Sequence, residues 1–138
     1  MKTIKKIQYY MVPILLLIVS FATVFSQTIW VDEAYSLELA KHSYMNLIKI
    51  DALDVHPPLY YIILRTGFLI FGVSENFIWI GRFVSLVPYV ILMIIGFTVI
   101  KKRYSKTIAY LFNVFIMGMP QMLRYSTEIR MYSWGMLF

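Results

Sequence analysis

The chain has 138 residues, 60% of them hydrophobic and only 14% charged, with a net charge of +6 and no cysteine. Ordinary soluble domains carry about 25% charged residues, so this composition and a mean hydropathy of +0.71 argue for an integral membrane protein rather than a soluble core. Lacking cysteine, the chain has no disulfide, thiolate metal site or cysteine nucleophile, and the basic residues flank apolar runs, which argues against nucleic acid as a partner.

The first apolar run extends from Ile7 to Ile29 and follows Lys2, Lys5 and Lys6. About 20 apolar residues suffice to cross a bilayer, so this run is expected to span. A cleaved signal peptide is the rival reading, but the run exceeds the usual apolar length of such a leader. Residues 33 to 50 follow. Leu37, Ala40, Tyr44, Leu47 and Ile48 keep the three-four spacing of one apolar helix face, which predicts a helix lying along the membrane surface.

Leu59 to Val73 is apolar apart from Arg65 and Thr66. Short apolar runs are more often interfacial or re-entrant than spanning, and charge supports that choice here. If this segment does not cross, Lys2, Lys5, Lys6, Lys101, Lys102, Arg103 and Lys106 share the cytoplasmic side without a single acid. All seven acids and the other six cations then lie outside, as the retention of positive charge in the cytoplasm requires. The second span is Phe77 to Ile100, carrying Arg82 about a turn from its start; the third runs from Thr107 to about Leu123, with Gly118 and Pro120 near its far end. Met131 to Phe138 reads as the opening of a fourth. The expected fold is therefore an all-α integral membrane protein of about three complete spans plus the start of a fourth. Residues 1–138 form a single membrane domain, and residues 26–76 an external loop with interfacial helices. The N-terminus is expected in the cytoplasm of a multi-pass protein of the bacterial plasma membrane. The eleven tyrosines and three tryptophans read mostly as interfacial belt residues.

Six of the seven acids, Asp32, Glu33, Glu38, Asp51, Asp54 and Glu75, fall between residues 32 and 75, and the seventh is Glu128. Asp32 and Glu33 have a plain reading as the N-cap and first turn of a helix. A carboxylate at the lipid–water boundary can also act as general base, because partial burial raises its pKa toward working pH. Asp54 and His56, before Pro57 and Pro58, either cap a helix start or form a polar pair held by a rigid corner. Glu128 and Arg130 lie beyond the third span and read either as a polar loop with snorkelling arginines or as part of a site. Arg82 is costly inside a span unless paired or functional. Glu75 is its plain partner, and phosphate is the functional one, for Arg82 and Arg65 alike. Asp32, Glu33, Asp54, His56 and Glu128 offer oxygen and imidazole donors of the kind a divalent ion takes, but their spacing matches no local metal motif.

The ordered set Asp32-Glu33, Asp54-Val-His-Pro-Pro-Leu, Gly81-Arg82-Phe-Val-Ser85 and Tyr125-Ser-Thr-Glu-Ile-Arg-Met-Tyr132 resembles the N-terminal part of GT-C class membrane glycosyltransferases. The likeness is to the family 39 group, which includes protein O-mannosyltransferases and aminoarabinose transferases, and it covers residues 7 to 138. The resemblance implies inverting transfer of a sugar from a polyprenyl-phosphate donor to a lipid, glycan or protein acceptor on the external face, as in cell-envelope glycosylation. It implies Asp32 as the catalytic base and Glu33 as its partner in the same catalytic motif, with Asp54, His56, Arg82, Glu128 and Arg130 binding donor or acceptor. A divalent metal ion is a candidate cofactor, with Asp32 and Glu128 as candidate ligands. Relatives are several times longer, so these residues are expected to be the N-terminal portion of a transferase and inactive alone. Two other readings compete: a non-catalytic membrane module that binds lipid phosphates or a membrane-protein partner, and a piece of a transporter.

Overall fold

The computed structural model describes residues 6–26, 28–54, 56–72 and 77–138, and the described residues are helical with no strand. Lys2, Lys5 and Glu75 lie outside them, and with Glu75 the expected Glu75–Arg82 pairing. Helix α1 spans Lys6–Ser26. Two surface helices follow, α2 at Val31–Lys41 and α3 at Tyr44–Asp51, then α4 at Leu59–Phe71. Helix α5, Phe77–Ile95, continues through a π-helical turn, Gly96–Ile100, into α6, Lys101–Arg103. The chain returns through α7, Lys106–Gly118, and α8, Pro120–Tyr125, and ends in α9, Tyr132–Leu137.

Two helical stretches, Ile7–Phe25 and Phe77–Arg103, are long and apolar enough to cross a membrane. They run antiparallel. Lys101 Nζ donates to the Tyr10 hydroxyl at 3.1 Å near the start of α1, and Arg82 Nη1 donates to the Val24 carbonyl at 2.8 Å near its end. The third apolar run is divided. Met119 is extended, with ψ 133°, and Pro120 opens the next helix as its first residue. A residue before proline is pushed out of the α region, and proline fits a helix start because the N–H it lacks would go unbonded there. The expected single span from Thr107 to Leu123 is thus a 13-residue helix and a 6-residue one.

The expected helix over 33 to 50 is also two helices. His42 is extended at ψ 160°, and the Ser43 hydroxyl accepts the Asn46 N–H at 3.4 Å, capping α3. Helix α2 starts at Val31 with Trp30 as its N-cap, so Asp32 sits in the first turn and is not the cap. Helix α4 matches the apolar run closely and stops at Gly72, whose φ of 82° suits a residue without Cβ.

The main core gathers Leu37, Leu39, Ala40, Leu47, Tyr60, Tyr61, Leu64, Phe68, Val84 and Ile129. It forms because α2 and α4 each bury a stripe at three-four spacing, α2 against α4 and α4 against α5. Each fully buried leucine or valine there contributes about 1.5–3 kcal/mol. Arg65 ties the layers by donating from Nη1 to the Ala40 and Lys41 carbonyls at the end of α2, at 3.2 and 3.1 Å. A second cluster, Leu86, Tyr89 and Met117, joins α5 to α7. Above it the π turn lets α7 approach α5 closely. A Cβ on Gly96 would collide with the Asn113 side chain, so the absence of a side chain at Gly96 is what leaves room for Asn113 at this crossing.

Candidate active site

Asp32, Glu33, Asp54 and Glu128 gather near the end of the molecule where α1 stops and α2 begins, and one ion pair sets their frame. Glu33 is wholly buried and Arg82 is 1% exposed. Arg82 Nε donates to Glu33 Oε1 at 3.4 Å and Nη2 to Glu33 Oε2 at 3.3 Å. The remaining donors of the guanidinium reach backbone carbonyls, Nη1 to Val24 at 2.8 Å and Nη2 to Thr28 at 3.4 Å. Glu33 completes its own coordination by accepting the Trp30 N–H at 3.2 Å and the Ile129 N–H at 3.1 Å. A buried pair is tolerated only when such extra hydrogen bonds satisfy the remaining donors and lone pairs. Glu33 and Arg82 therefore hold α1, α2, α5 and the 126–130 segment together. Neither presents an open face to a ligand, and the same is true of the Arg65 Nη1 that holds the end of α2.

Asp32 is the opposite case. One residue earlier on α2, it is exposed, and its backbone carbonyl accepts the Ser36 hydroxyl at 3.0 Å. The neighbouring acids that look equivalent in sequence are separated by the turn of the helix, one inward and one outward.

The outward side of this frame carries a hydrogen-bonded chain. Asp54 Oδ2 lies 3.0 Å from His56 Nδ1, and His56 Nε2 lies 3.1 Å from Arg130 Nη2. A guanidinium has only donors, so Nε2 accepts and the ring proton sits on Nδ1, donated to Asp54. Arg130 also donates from Nη1 to the Tyr61 hydroxyl at 3.4 Å, and the Tyr35 hydroxyl bonds Asp54. Pro58, without a side-chain cap bond, is the N-cap of α4, so Asp54 and His56 do not cap that helix. Arg130 connects this chain to Asp32 and Glu128: the Asp32 carboxylate lies close enough to act on the charge of both.

Residues 126–130 are buried, which sets aside the snorkelling-loop reading. The Thr127 hydroxyl meets the Thr23 hydroxyl at 3.0 Å, and Ile129 fills the space beside Gly81, where a Cβ would stand 2.9 Å from it. Glu128 pairs with Arg124 at 3.4 Å, and the Arg124 guanidinium lies over the Trp30 ring, 4.2 Å from its centroid. Burial pushes the Glu128 carboxyl above its ordinary range; Arg124 opposes this, and the charges of Glu33 and Asp32 add to it.

Asp51, Tyr35 and Tyr61 join the cluster without a motif to announce them. Asp51 is 2% exposed, and neither carboxyl oxygen has a hydrogen-bond partner. Burial raises its pKa, the nearby Asp54 raises it further, and His56 opposes both. Its only sequence signal is its position three residues before Asp54 on an otherwise apolar stretch.

Among the described residues, no three of His, Asp and Glu are grouped to hold a metal ion. His56 has both ring nitrogens occupied, and Glu33 has both oxygens occupied. The donor set does not fit a metal ion held by these residues alone, and the candidate ligands Asp32 and Glu128 lack a third partner of that kind.

What the arrangement offers is one exposed carboxylate, a fixed guanidinium beside it, and a second arginine spread on an exposed tryptophan. No protein-family model, curated protein or solved structure matches this chain.

Proposed function

We propose that this chain is the N-terminal, multi-pass part of an inverting glycosyltransferase that uses a polyprenyl-phosphate sugar donor at the external membrane face. The observation that carries the reading is the position of Arg130. It bonds His56, which bonds Asp54, and it lies in the field of Asp32, so residues distant in sequence share one end of the bundle. The polarity of the molecule supports the same reading: no acid lies on α1, α5, α6 or α7.

In this mechanism Asp32 takes the proton of the acceptor hydroxyl as its oxygen attacks the anomeric carbon. The anomeric carbon–oxygen bond breaks, and the lipid phosphate leaves with the bonding electrons on the face opposite the attack. Phosphate is a good leaving group, so neutralising its charge matters more than protonating it. Arg82 is sealed by Glu33 and backbone carbonyls, so that role falls to Arg124, which is partly exposed over Trp30. Glu33 positions Asp32 by fixing the first turn of α2 to α1 and α5.

A module that only binds lipid phosphates is less well supported, because Arg82 and Arg65, its expected anchors, donate to protein acceptors. The test is Asp32→Asn in the full-length protein, with labelled sugar followed from a polyprenyl-phosphate donor to membrane acceptors. Losing a general base typically costs about 10²–10⁴-fold, with membrane insertion unchanged. Wild-type transfer by the variant would sink the assignment.

A further inference from the structure

The opposite end of the molecule has a composition of its own. Lys101, Lys102, Arg103 and Lys106 cluster where α6 turns into α7, beside the start of α1. Lys101 is anchored: its Nζ bonds the Tyr10 hydroxyl at 3.1 Å and lies 5.6 Å from the Tyr9 and Tyr10 ring centroids. Lys102, Arg103 and Lys106 are exposed, and none has an ion-pair partner among the described residues. Next to them, Ile7, Tyr10, Met11 and Ile14 line an apolar groove on α1. Their spacing of three, four and seven places them along one face over about 10 Å. Tyr10 belongs both to the groove and to the Lys101 contact, which places the groove beside the turn that carries Lys102, Arg103 and Lys106.

We propose that this end seats one anionic phospholipid, with its phosphate against Lys102, Arg103 and Lys106 and an acyl chain along the Ile7–Tyr10–Met11–Ile14 groove. The occupant follows from complementarity. Three cations without an ion-pair partner among the described residues select a negative headgroup, and an adjoining apolar groove selects a headgroup that carries a hydrocarbon chain. Free phosphate would use the first feature and leave the second without a function. The inference rests on the membrane part of the reading above and not on sugar transfer.

The experiment uses the chain purified in mild detergent, with palmitoyl-oleoyl phosphatidylglycerol or phosphatidylcholine added back and bound lipid counted by native mass spectrometry. Phosphatidylglycerol is retained at the lower concentration. Lys102→Gln with Arg103→Gln raises that concentration about 25-fold, at about fivefold per cation removed, and leaves phosphatidylcholine unaffected. Met11→Asn weakens both lipids while keeping the preference. Helical circular dichroism shows that each variant is folded. Equal retention of the two lipids by the wild type overturns the proposal, as does a preference that survives the double substitution. Displacement of phosphatidylglycerol by millimolar inorganic phosphate would reassign the cations to a soluble anion and overturn it too. Resistance to alkaline extraction from membranes, measured in parallel, separates a missing lipid seat from a chain that does not enter bilayers.

Discussion

Glu33 and Arg82, 49 positions apart, meet as a two-point ion pair that is shut off from solvent and shares its remaining bonding capacity with the backbone of three other segments. Removing one partner leaves a buried charge uncompensated, which typically costs about 3–5 kcal/mol. Glu33→Ala and Arg82→Leu are each expected to lose about this much in thermal or denaturant unfolding of the detergent-solubilised chain. The pair Glu33→Leu with Arg82→Met should recover most of the loss, because two apolar groups of similar size need no partners. A double variant as unstable as the sum of the singles would show that the backbone contacts of the pair, and not its charges, hold the segments together.

The crossing of α7 over the π turn gives a second expectation. Gly96→Ala forces its new methyl into Asn113, whose side-chain nitrogen and oxygen are buried without hydrogen bonds. Overpacking of this kind costs about 1–3 kcal/mol. Asn113→Ala opens the space and removes two unbonded polar atoms, so the double variant should be more stable than Gly96→Ala alone. A double-mutant cycle of unfolding free energies measures the coupling, and zero coupling would mean that the two helices are not in contact.

The pH dependence centres on Asp51. Its folded pKa is raised above the ordinary 3.8, so in the interval above 3.8 the folded state binds more protons than the unfolded one. Stability contributed by this group therefore falls as pH rises through that interval. Asp51→Asn removes the ionisation. The variant should match the wild type near pH 3.5, exceed it at pH 7, and flatten the decline between. Glu128, raised from 4.5 chiefly by burial, adds a decline of the same sign. Measured unfolding midpoints across pH 3.5–8 decide the matter; a wild type that gains stability on ionisation of Asp51 would mean that the carboxylate has found a cationic partner.

Arg130 is the next position to probe, because it reaches both His56 and Tyr61. Lysine keeps the charge but lacks the planar fork that serves two acceptors at once. On the proposed transferase reading, Arg130→Lys should therefore reduce sugar transfer by about 100-fold, the scale of a small misplacement in a preorganised site. His56→Gln, which can still accept from Arg130, should be milder. Equal activity of Arg130→Lys and the wild type would leave the Asp54–His56–Arg130 chain as a structural tether only.

Much of the molecule's outline is local and was therefore visible in the residues themselves. Apolar runs gave α1, α4 and the long α5–α6 stretch, because hydropathy over 15 to 25 positions is a property of contiguous residues. The segregation of acids from the Lys101–Lys106 cluster was readable for the same reason. Short-range backbone chemistry was readable only in part. Pro120 lay in view near the end of the third run, yet the split there depends on Met119 turning extended, and the break at His42 and Ser43 falls inside a periodic pattern that looks continuous.

Partnership was a different matter. Asp32 and Glu33 are indistinguishable as neighbours in a motif; the inward face of α2, which packs on α4 and meets Arg82 of α5, buries Glu33 and leaves Asp32 open. Arg82 finds its counter-charge 49 residues back, and Glu33 finds the Ile129 amide 96 residues ahead. Asp51 becomes unusual only once α3 and α4 close around it. Helix formation responds to neighbours along the chain, so composition and periodicity determined which segments are helical and where charge accumulates. The burial and pairing of a charge respond to neighbours in space, so the tertiary packing alone decided which acids are held and which remain free to react.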